Sequence, residues 1–239
     1  MCTVIYYPGK DGILFSSCRD EDPARPLALL PAFYKAGDRS AVYPKDGTAG
    51  GTWAGMNDEG DVIILLNGAF EKHVREKEYR KSRGLIVRDL LFAVDVIDQW
   101  TIYDLRNIEP FTLVIRHQKK LYEAVWNAEQ IMLTEMDPRL PHIWSSSTLY
   151  DKNAQKIRRQ WFNEGLKRNA IKDIPSLQSF LLAHNDPGNG FVMKRHERLA
   201  TLSISCFRFC DSRVSLYYND LIKKEESELS LSIKADVLQ

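Results

Sequence analysis

The chain lacks an excess of charge of either sign: its 239 residues carry 33 Lys and Arg against 32 Asp and Glu, a formal balance of +1. Proteins that bind nucleic acid usually show a marked basic excess, so the composition argues against nucleic acid as a partner.

Long apolar runs are also lacking. The run at 4–7 stops at Pro8, and the densest apolar block, 85–97, is interrupted by charged residues. We therefore expect no secretory leader, no membrane span and a cytoplasmic location.

Cysteine is scarce as well, with four residues at positions 2, 18, 206 and 210. In an intracellular chain these are expected to be free thiols. The spacing of Cys206 and Cys210 puts both on one face of a strand, which predicts buried strand thiols. No second Cys or His pair accompanies them at zinc-binding distance, so we expect neither a metal nor another cofactor.

What the sequence does contain is a recurring strand pattern. β-rich runs on either side of turn residues predict antiparallel pairs over 3–18, 52–67, 111–126 and 201–219. Apolar residues at helical spacing predict helices over 82–100, 151–167 and 175–184.

The remaining segments suggest few further elements. Residues 23–51 are rich in Pro, Gly and Asp and are predicted to be mostly loop, with a short strand near 41–43. No linker or repeat divides the chain, so we expect one domain over 1–239, with a charged tail after about residue 222. The order of elements favours an α+β fold with mostly antiparallel sheets.

Position 2 carries the first candidate for chemistry. Once Met1 is removed, Cys2 presents a thiol together with a free α-amine, whose ordinary pKa of about 7.7–8.0 suits a base near neutral pH. A nucleophile served by its own terminal amine is an established catalytic device. The alternative is a strand thiol with no role.

Charged residues at the end of the second predicted strand extend this candidate site. In a hairpin that starts at Cys2, this strand end returns close to the chain start. A carboxylate of Asp20 or Asp22 would then hold the α-ammonium, and Arg19 would orient a substrate carbonyl or lower the pKa of the thiol. A surface Arg–carboxylate pair of little energetic value is the alternative.

These residues belong to a wider pattern in the first 90 or so residues. The ordered segments are Met1-Cys2, Arg19-Asp20-Glu21 with Arg25-Pro26, Gly50-Gly51-Thr52-Trp53 with Gly55, Asn57 and Gly60, Asn67, and Ser82-Arg83-Gly84. As a set they resemble the NRDE family, also called the transport-and-Golgi-organisation family. That family is in turn similar to N-terminal nucleophile hydrolases of the choloylglycine hydrolase and penicillin V acylase type.

The resemblance implies a four-layer αββα sandwich whose first strand begins at the nucleophile. It implies that Cys2 is the nucleophile and base, that Arg19 and Asp20 flank it, and that the Asn67 amide donates to an oxyanion. Two positions depart from the family pattern. Cys18 stands where the name motif opens with Asn, and Ser147 stands where the family places Asn after a serine.

Two functions follow from the resemblance. The first is an amidohydrolase that cleaves a non-peptide C–N bond of a small molecule through an acyl-enzyme, and the coincidence of Cys2, Arg19 and Asn67 favours it. The second is a non-catalytic protein that binds or carries a lipid-like or haem ligand on the same fold, and Ser147 favours it. Haem is a ligand only in the second case, and no oligomeric state follows from the sequence.

Overall fold

Hairpins organise most of the chain. The computed structural model describes residues 3–234, and its strands are β1 (Thr3–Gly9), β2 (Gly12–Glu21), β3 (Leu29–Ala36), β4 (Arg39–Lys45), β5 (Ala54–Asn57), β6 (Val62–Asn67), β7 (Phe111–His117), β8 (Lys120–Trp126), β9 (Ile131–Met136), β10 (His142–Ser145), β11 (Ala200–Cys210), β12 (Arg213–Asp220) and β13 (Glu225–Ser232). The helices are α1 (Arg83–Leu91), α2 (Val96–Ile102), α3 (Lys152–Lys167) and α4 (Ile174–Ala183).

The strands form two antiparallel sheets. The first has the order β10-β1-β2-β11-β12-β13, and the second has the order β3-β4-β5-β6-β7-β8-β9. In the first sheet the N-terminal hairpin pairs with the C-terminal one through β2 and β11, which are far apart in sequence. The second sheet follows chain order throughout, because each of its strands pairs with its sequence neighbours.

The alternation of side chains along β2 shows how the layers stack. Leu14 and Cys18 point into an apolar cluster with Leu177 of α4, whereas Phe15 points into the core shared with the second sheet. Helices α1 and α2 contribute to that larger core, for example through Leu90. The layers are therefore α3 and α4, the first sheet, the second sheet, and α1 and α2, which confirms the predicted αββα sandwich.

The structure corrects the prediction that residues 23–51 are mostly loop. β3 and β4 form a hairpin there, joined at Gly37, whose φ of 59° suits a tight turn. Pro31 lies within β3, which is tolerated because β3 is the edge of its sheet and the pairing shifts register between Leu29 and Ala32. The segment is rich in turn-forming residues, so its sequence did not indicate this edge hairpin.

The single helix predicted over 82–100 is also wrong, because the segment forms two helices. α1 ends at Leu91, and the carboxylate of Asp95 caps α2 by accepting from the backbone of Ile97 at 2.8 Å and of Asp98 at 2.9 Å. Val94, which fitted the predicted apolar stripe, is 89% exposed. The charged segment after residue 222 forms the edge strand β13, paired with β12.

The two C-terminal cysteines differ in exposure. Cys206 is fully buried in β11, and burial raises the pKa of its thiol to about 12. Cys210, at the end of the same strand, is exposed, so the prediction of buried thiols is wrong for this residue. Among the helices of residues 3–234, none combines the length and the apolar character that a membrane crossing requires.

A buried histidine connects β7, the β5–β6 hairpin and the start of α2. His117, at the end of β7, lies 2.8 Å from Asp61 through Nδ1 and 3.1 Å from Asp95 through Nε2. Asn57 donates to the same Asp61 carboxylate at 2.8 Å. Burial alone lowers the pKa of His117, but the hydrogen bonds and charges of Asp61 and Asp95 outweigh it and raise the pKa above its ordinary value.

Replacing His117 by Asn should therefore destabilise the protein in a pH-dependent way. Because the folded-state pKa of His117 is raised, its contribution to stability is complete below its unfolded pKa of about 6.5 and is lost as pH rises through the folded pKa. We expect the deficit in unfolding free energy to be larger at about pH 5.5 than at about pH 8.5, measured by urea denaturation. The exposed His196→Asn is the control, and a deficit that grows with pH would contradict the prediction.

Candidate active site

A cleft opens beside the end of β2, where segments distant in sequence meet. Its lining residues are Arg19, Glu21, Arg25, Asp46, Gly51, Thr52, Trp53, Leu65, Asn67, Ser82, Arg83 and Gly84. All of them except Asp46 and Leu65 belong to the sequence segments that carry the family resemblance. The fold therefore gathers these separate short motifs into one site.

Two glycines let the walls of the cleft approach each other. A Cβ atom on Gly51 would lie 2.3 Å from the carbonyl carbon of Gly84, and one on Gly84 would lie 2.9 Å from the carbonyl oxygen of Thr52. The backbone N–H of Thr52 donates to the Gly84 carbonyl at 2.9 Å. The start of α1 therefore sits directly on the chain leading into β5, which explains the glycines in both motifs.

Arg19 is fixed in the cleft by a carboxylate and an aromatic ring. Its guanidinium lies 4.2 Å from the ring centre of Trp53 and donates to the Asp46 carboxylate at 3.0 Å. The same carboxylate lies 3.6 Å from Arg25 and accepts from the backbone of Ala49 at 2.8 Å. Sequence reasoning missed Asp46 because it lies in the segment expected to be loop, although Asp-Gly at 46–47 is a turn signal.

Arg83 supplies a further cation at the first residue of α1. It pairs with Glu109 at 3.0 Å and donates to the Pro110 carbonyl at 3.1 Å. Burial lowers the pKa of its guanidinium below the ordinary value, and the charge of Glu109 offsets part of this effect. The residue is tied to the loop before β7, so the start of α1 is anchored on two sides.

Asn67, the predicted oxyanion donor, lies at the end of β6 and in the wall of the cleft. Its side-chain amide forms no hydrogen bond with other residues of the described range 3–234, so its N–H groups are available. Its backbone carbonyl accepts from the Ser146 hydroxyl at 2.7 Å. A Cβ atom on Gly68 would lie 2.4 Å from Oγ of Ser147, so segment 146–148 packs against this strand end.

Ser147 is near Asn67 but does not line the cleft. Its hydroxyl donates to the Glu71 carbonyl at 3.4 Å, and the residue borders a neighbouring pocket together with Tyr150 and Arg195. The structure thus brings Arg19 and Asn67 together in one cleft, whereas Ser147 lines the neighbouring pocket.

Asp20 lies on the opposite face of β2 from Arg19, since neighbouring side chains on a strand alternate. It is 2% exposed, and its carboxylate accepts from Thr201 at 2.5 Å and from Tyr150 at 2.9 Å. Asp22, the alternative partner for the α-amine, instead accepts from the backbone of Ala24 at 2.8 Å in a turn. The two candidates therefore differ in that Asp20 alone is held in a buried hydrogen-bond network.

Arg158, which sequence reasoning missed, anchors the start of β1 on this helix-covered face. It is fully buried, donates to the hydroxyl of Thr3, and donates through Nε to the Asn189 carbonyl at 2.8 Å. Its guanidinium lies 3.4 Å from the ring centre of Tyr150. A single arginine on the buried stripe of α3, four residues before Phe162, was the available signal.

Cys2, the predicted nucleophile, lies outside the described residues. Thr3 pairs with Cys18, the residue immediately before Arg19. The chain therefore enters β1 at the same end of β2 that borders the cleft.

The described residues have a fold like that of the N-terminal nucleophile hydrolases. The chain is similar to a variant of conjugated bile acid hydrolase from Clostridium perfringens, with 12% identity and a TM-score of 0.61, covering 95% of this chain and 92% of that chain. It is also similar to a Caenorhabditis elegans ortholog of N-acylethanolamine-hydrolyzing acid amidase, with 11% identity and a TM-score of 0.59. That match covers 86% of this chain and 92% of the other chain. At these identities the likeness establishes the fold.

Comparison of the sequence with family models identifies the family. A model of the Transport and Golgi organisation 2 family matches residues 1–201, and the chain belongs to that family. A search of curated protein sequences finds no match.

Substituting Gly51 should test the backbone contact that shapes the cleft. Gly51→Ala places a Cβ atom against the Gly84 backbone, which has no side chain to move, so we expect a loss of about 1–3 kcal/mol in unfolding free energy. The control is Gly188→Ala, where the nearest atom to the new Cβ is 3.6 Å away. Chemical denaturation measures both, and equal stabilities of the two variants would contradict the prediction.

Proposed function

We propose that this protein hydrolyses a non-peptide amide bond of a small molecule, with Cys2 as the nucleophile and its α-amine as the base. One observation carries the proposal: the motif segments converge on a single cleft at the strand end where β1 begins. That cleft holds Arg19, which Asp46 and Trp53 fix in place, and Asn67, whose side-chain amide has no hydrogen-bond partner among residues 3–234. A group that orients the substrate and an oxyanion donor both assist acyl transfer to a thiol.

The proposed reaction has two steps. The Cys2 thiol passes its proton to the α-amine and attacks the amide carbon, and the C–N bond breaks as the leaving amine takes up that proton. Water then attacks the thioester, gives a proton to the α-amine, and releases the carboxylic acid while the thiol is restored. The Asn67 amide donates a hydrogen bond to the developing oxyanion and so stabilises the transition state.

The two faces of β2 have separate roles in this proposal. Arg19, held by Asp46 and Trp53, orients the substrate carbonyl within the cleft. Asp20, held by Tyr150 and Thr201, stabilises the protonated α-amine.

A specific observation favours a second candidate, a protein that binds a lipid-like or haem ligand without hydrolysing it. The hydroxyl of Ser147 is directed to the Glu71 carbonyl, so it does not supply a second oxyanion donor. In that case the same cleft serves for binding alone, and ligand affinity should survive the loss of the Cys2 thiol.

Cys2→Ala should abolish hydrolysis in a screen of chromogenic anilides and N-acyl amines. Intact-mass measurement comes first, since the mechanism requires a chain without Met1. The control is Cys210→Ala, which removes an exposed thiol far from the cleft and should leave turnover unchanged. Hydrolysis that persists in Cys2→Ala, or a retained Met1 in the active protein, would contradict the proposal.

Asn67→Ala should lower kcat by about 10²–10³-fold with little change in KM, because an oxyanion donor acts mainly in the transition state. Steady-state kinetics on the best amide of the screen measures both constants. Asn153→Ala on the exposed side of α3 is the matched control. A rise in KM with unchanged kcat would assign Asn67 to substrate binding instead.

A further inference from the structure

Two buried donors in the wall of the cleft have no hydrogen-bond partner among residues 3–234. They are the indole Nε1–H of Trp53 and the Nε–H of Arg25, and both residues line the cleft. Trp53 is itself 3% exposed. Neither group can accept a hydrogen bond, and a buried donor without a partner is costly, so the site calls for a ligand with acceptor oxygens.

The start of α1 adds to this donor character. Ser82, Arg83 and Gly84 line the cleft, and the Ser82 side chain forms no capping hydrogen bond. The first N–H groups of a helix lack partners within the helix and carry partial positive charge, which favours a negatively charged group nearby.

The charges of the lining residues indicate how much negative charge fits. Three arginines, at 19, 25 and 83, face two carboxylates, those of Glu21 and Asp46, which leaves one positive charge in excess. Glu109 lies behind Arg83 and is also 3.9 Å from Arg75, so its charge is shared with a cation outside the cleft. The balance suits a singly charged anion better than a dianion.

We propose that this cleft binds a carboxylate carried by its ligand, between the Trp53 indole, Arg25 and the start of α1. The Asp46 carboxylate, which lies between Arg19 and Arg25 at 3.0 and 3.6 Å, shows that a group of this size and charge fits among these cations. This inference rests on the proposed function in one respect: if the ligand is the amide substrate, that substrate also carries a free carboxylate.

Matched probes test the inference without any hydrolysable bond. Decanoate and decanamide share one chain and differ in charge, and decyl phosphate offers a dianion. Isothermal titration of the full chain should give about tenfold tighter binding of decanoate than of decanamide, since a charge-assisted hydrogen bond contributes about twice as much as a neutral one. Decyl phosphate should bind no more tightly than decanoate.

Variants of two lining residues test where the carboxylate of decanoate binds. Trp53→Phe keeps an aromatic ring under Arg19 and removes only the indole N–H, so decanoate affinity should fall about three- to tenfold and decanamide affinity should fall less. Arg25→Met should remove most of the preference for decanoate. The control is Trp144→Phe, because the Trp144 indole donates to Glu123 at 2.6 Å outside the cleft.

Equal affinity for decanoate and decanamide, no binding of decanoate at millimolar concentration, or tighter binding of decyl phosphate would each overturn the inference. So would a preference for decanoate that Trp53→Phe and Arg25→Met leave intact. These results are separable from the test of the proposed function. A protein that prefers decanoate but hydrolyses no amide loses only the hydrolase proposal, and a Cys2-dependent hydrolase with no carboxylate preference loses only this inference.

Discussion

The contact between two glycine-bearing backbones is the constraint on which the cleft depends. Gly51 and Gly84 touch without intervening side chains, and further along the same helix Leu91 packs where a Cβ on Gly55 would be, at 2.5 Å. α1 therefore lies closer to the second sheet than side-chain-mediated packing would allow. This closeness brings the helix start, Arg83 included, within reach of the groups that end β2 and β6.

β2 divides the candidate machinery between two environments. Its consecutive residues Arg19 and Asp20 point to opposite sides of the first sheet, one to the cleft and one to the helix-covered face. Each is held by its own partners, so neither depends on the position of the other. On the second face Arg158 stacks on Tyr150 while it binds Thr3, which links the start of β1 to α3 and to the Asp20 network.

The hydrolase and carrier hypotheses place the ligand in the same cleft. They differ in whether the Cys2 thiol reacts with that ligand. The Trp53 indole N–H, which has no hydrogen-bond partner among residues 3–234, and the N–H groups of the Asn67 amide suit an oxygen-rich ligand in either case. Because unrelated activities occur on one fold, the likeness to bile acid hydrolase at 12% identity does not decide between them. The deciding group is the thiol of Cys2 with its α-amine.

Much of the secondary structure could be predicted from local sequence, because turn residues and apolar periodicity act over a few positions. The hairpins at 3–18 and 201–219 and the helix of residues 152–167 are of this kind. The edge hairpin at 29–45 could not, since an edge strand needs few buried apolar residues and its turn-rich composition resembles a loop.

Sequence alone determined the hairpins, most helices and the candidates Arg19 and Asn67. Only the tertiary structure decided that β2 pairs with β11, that Asp46 holds Arg19, and that Arg158 anchors β1, because these contacts join residues with no local pattern in common.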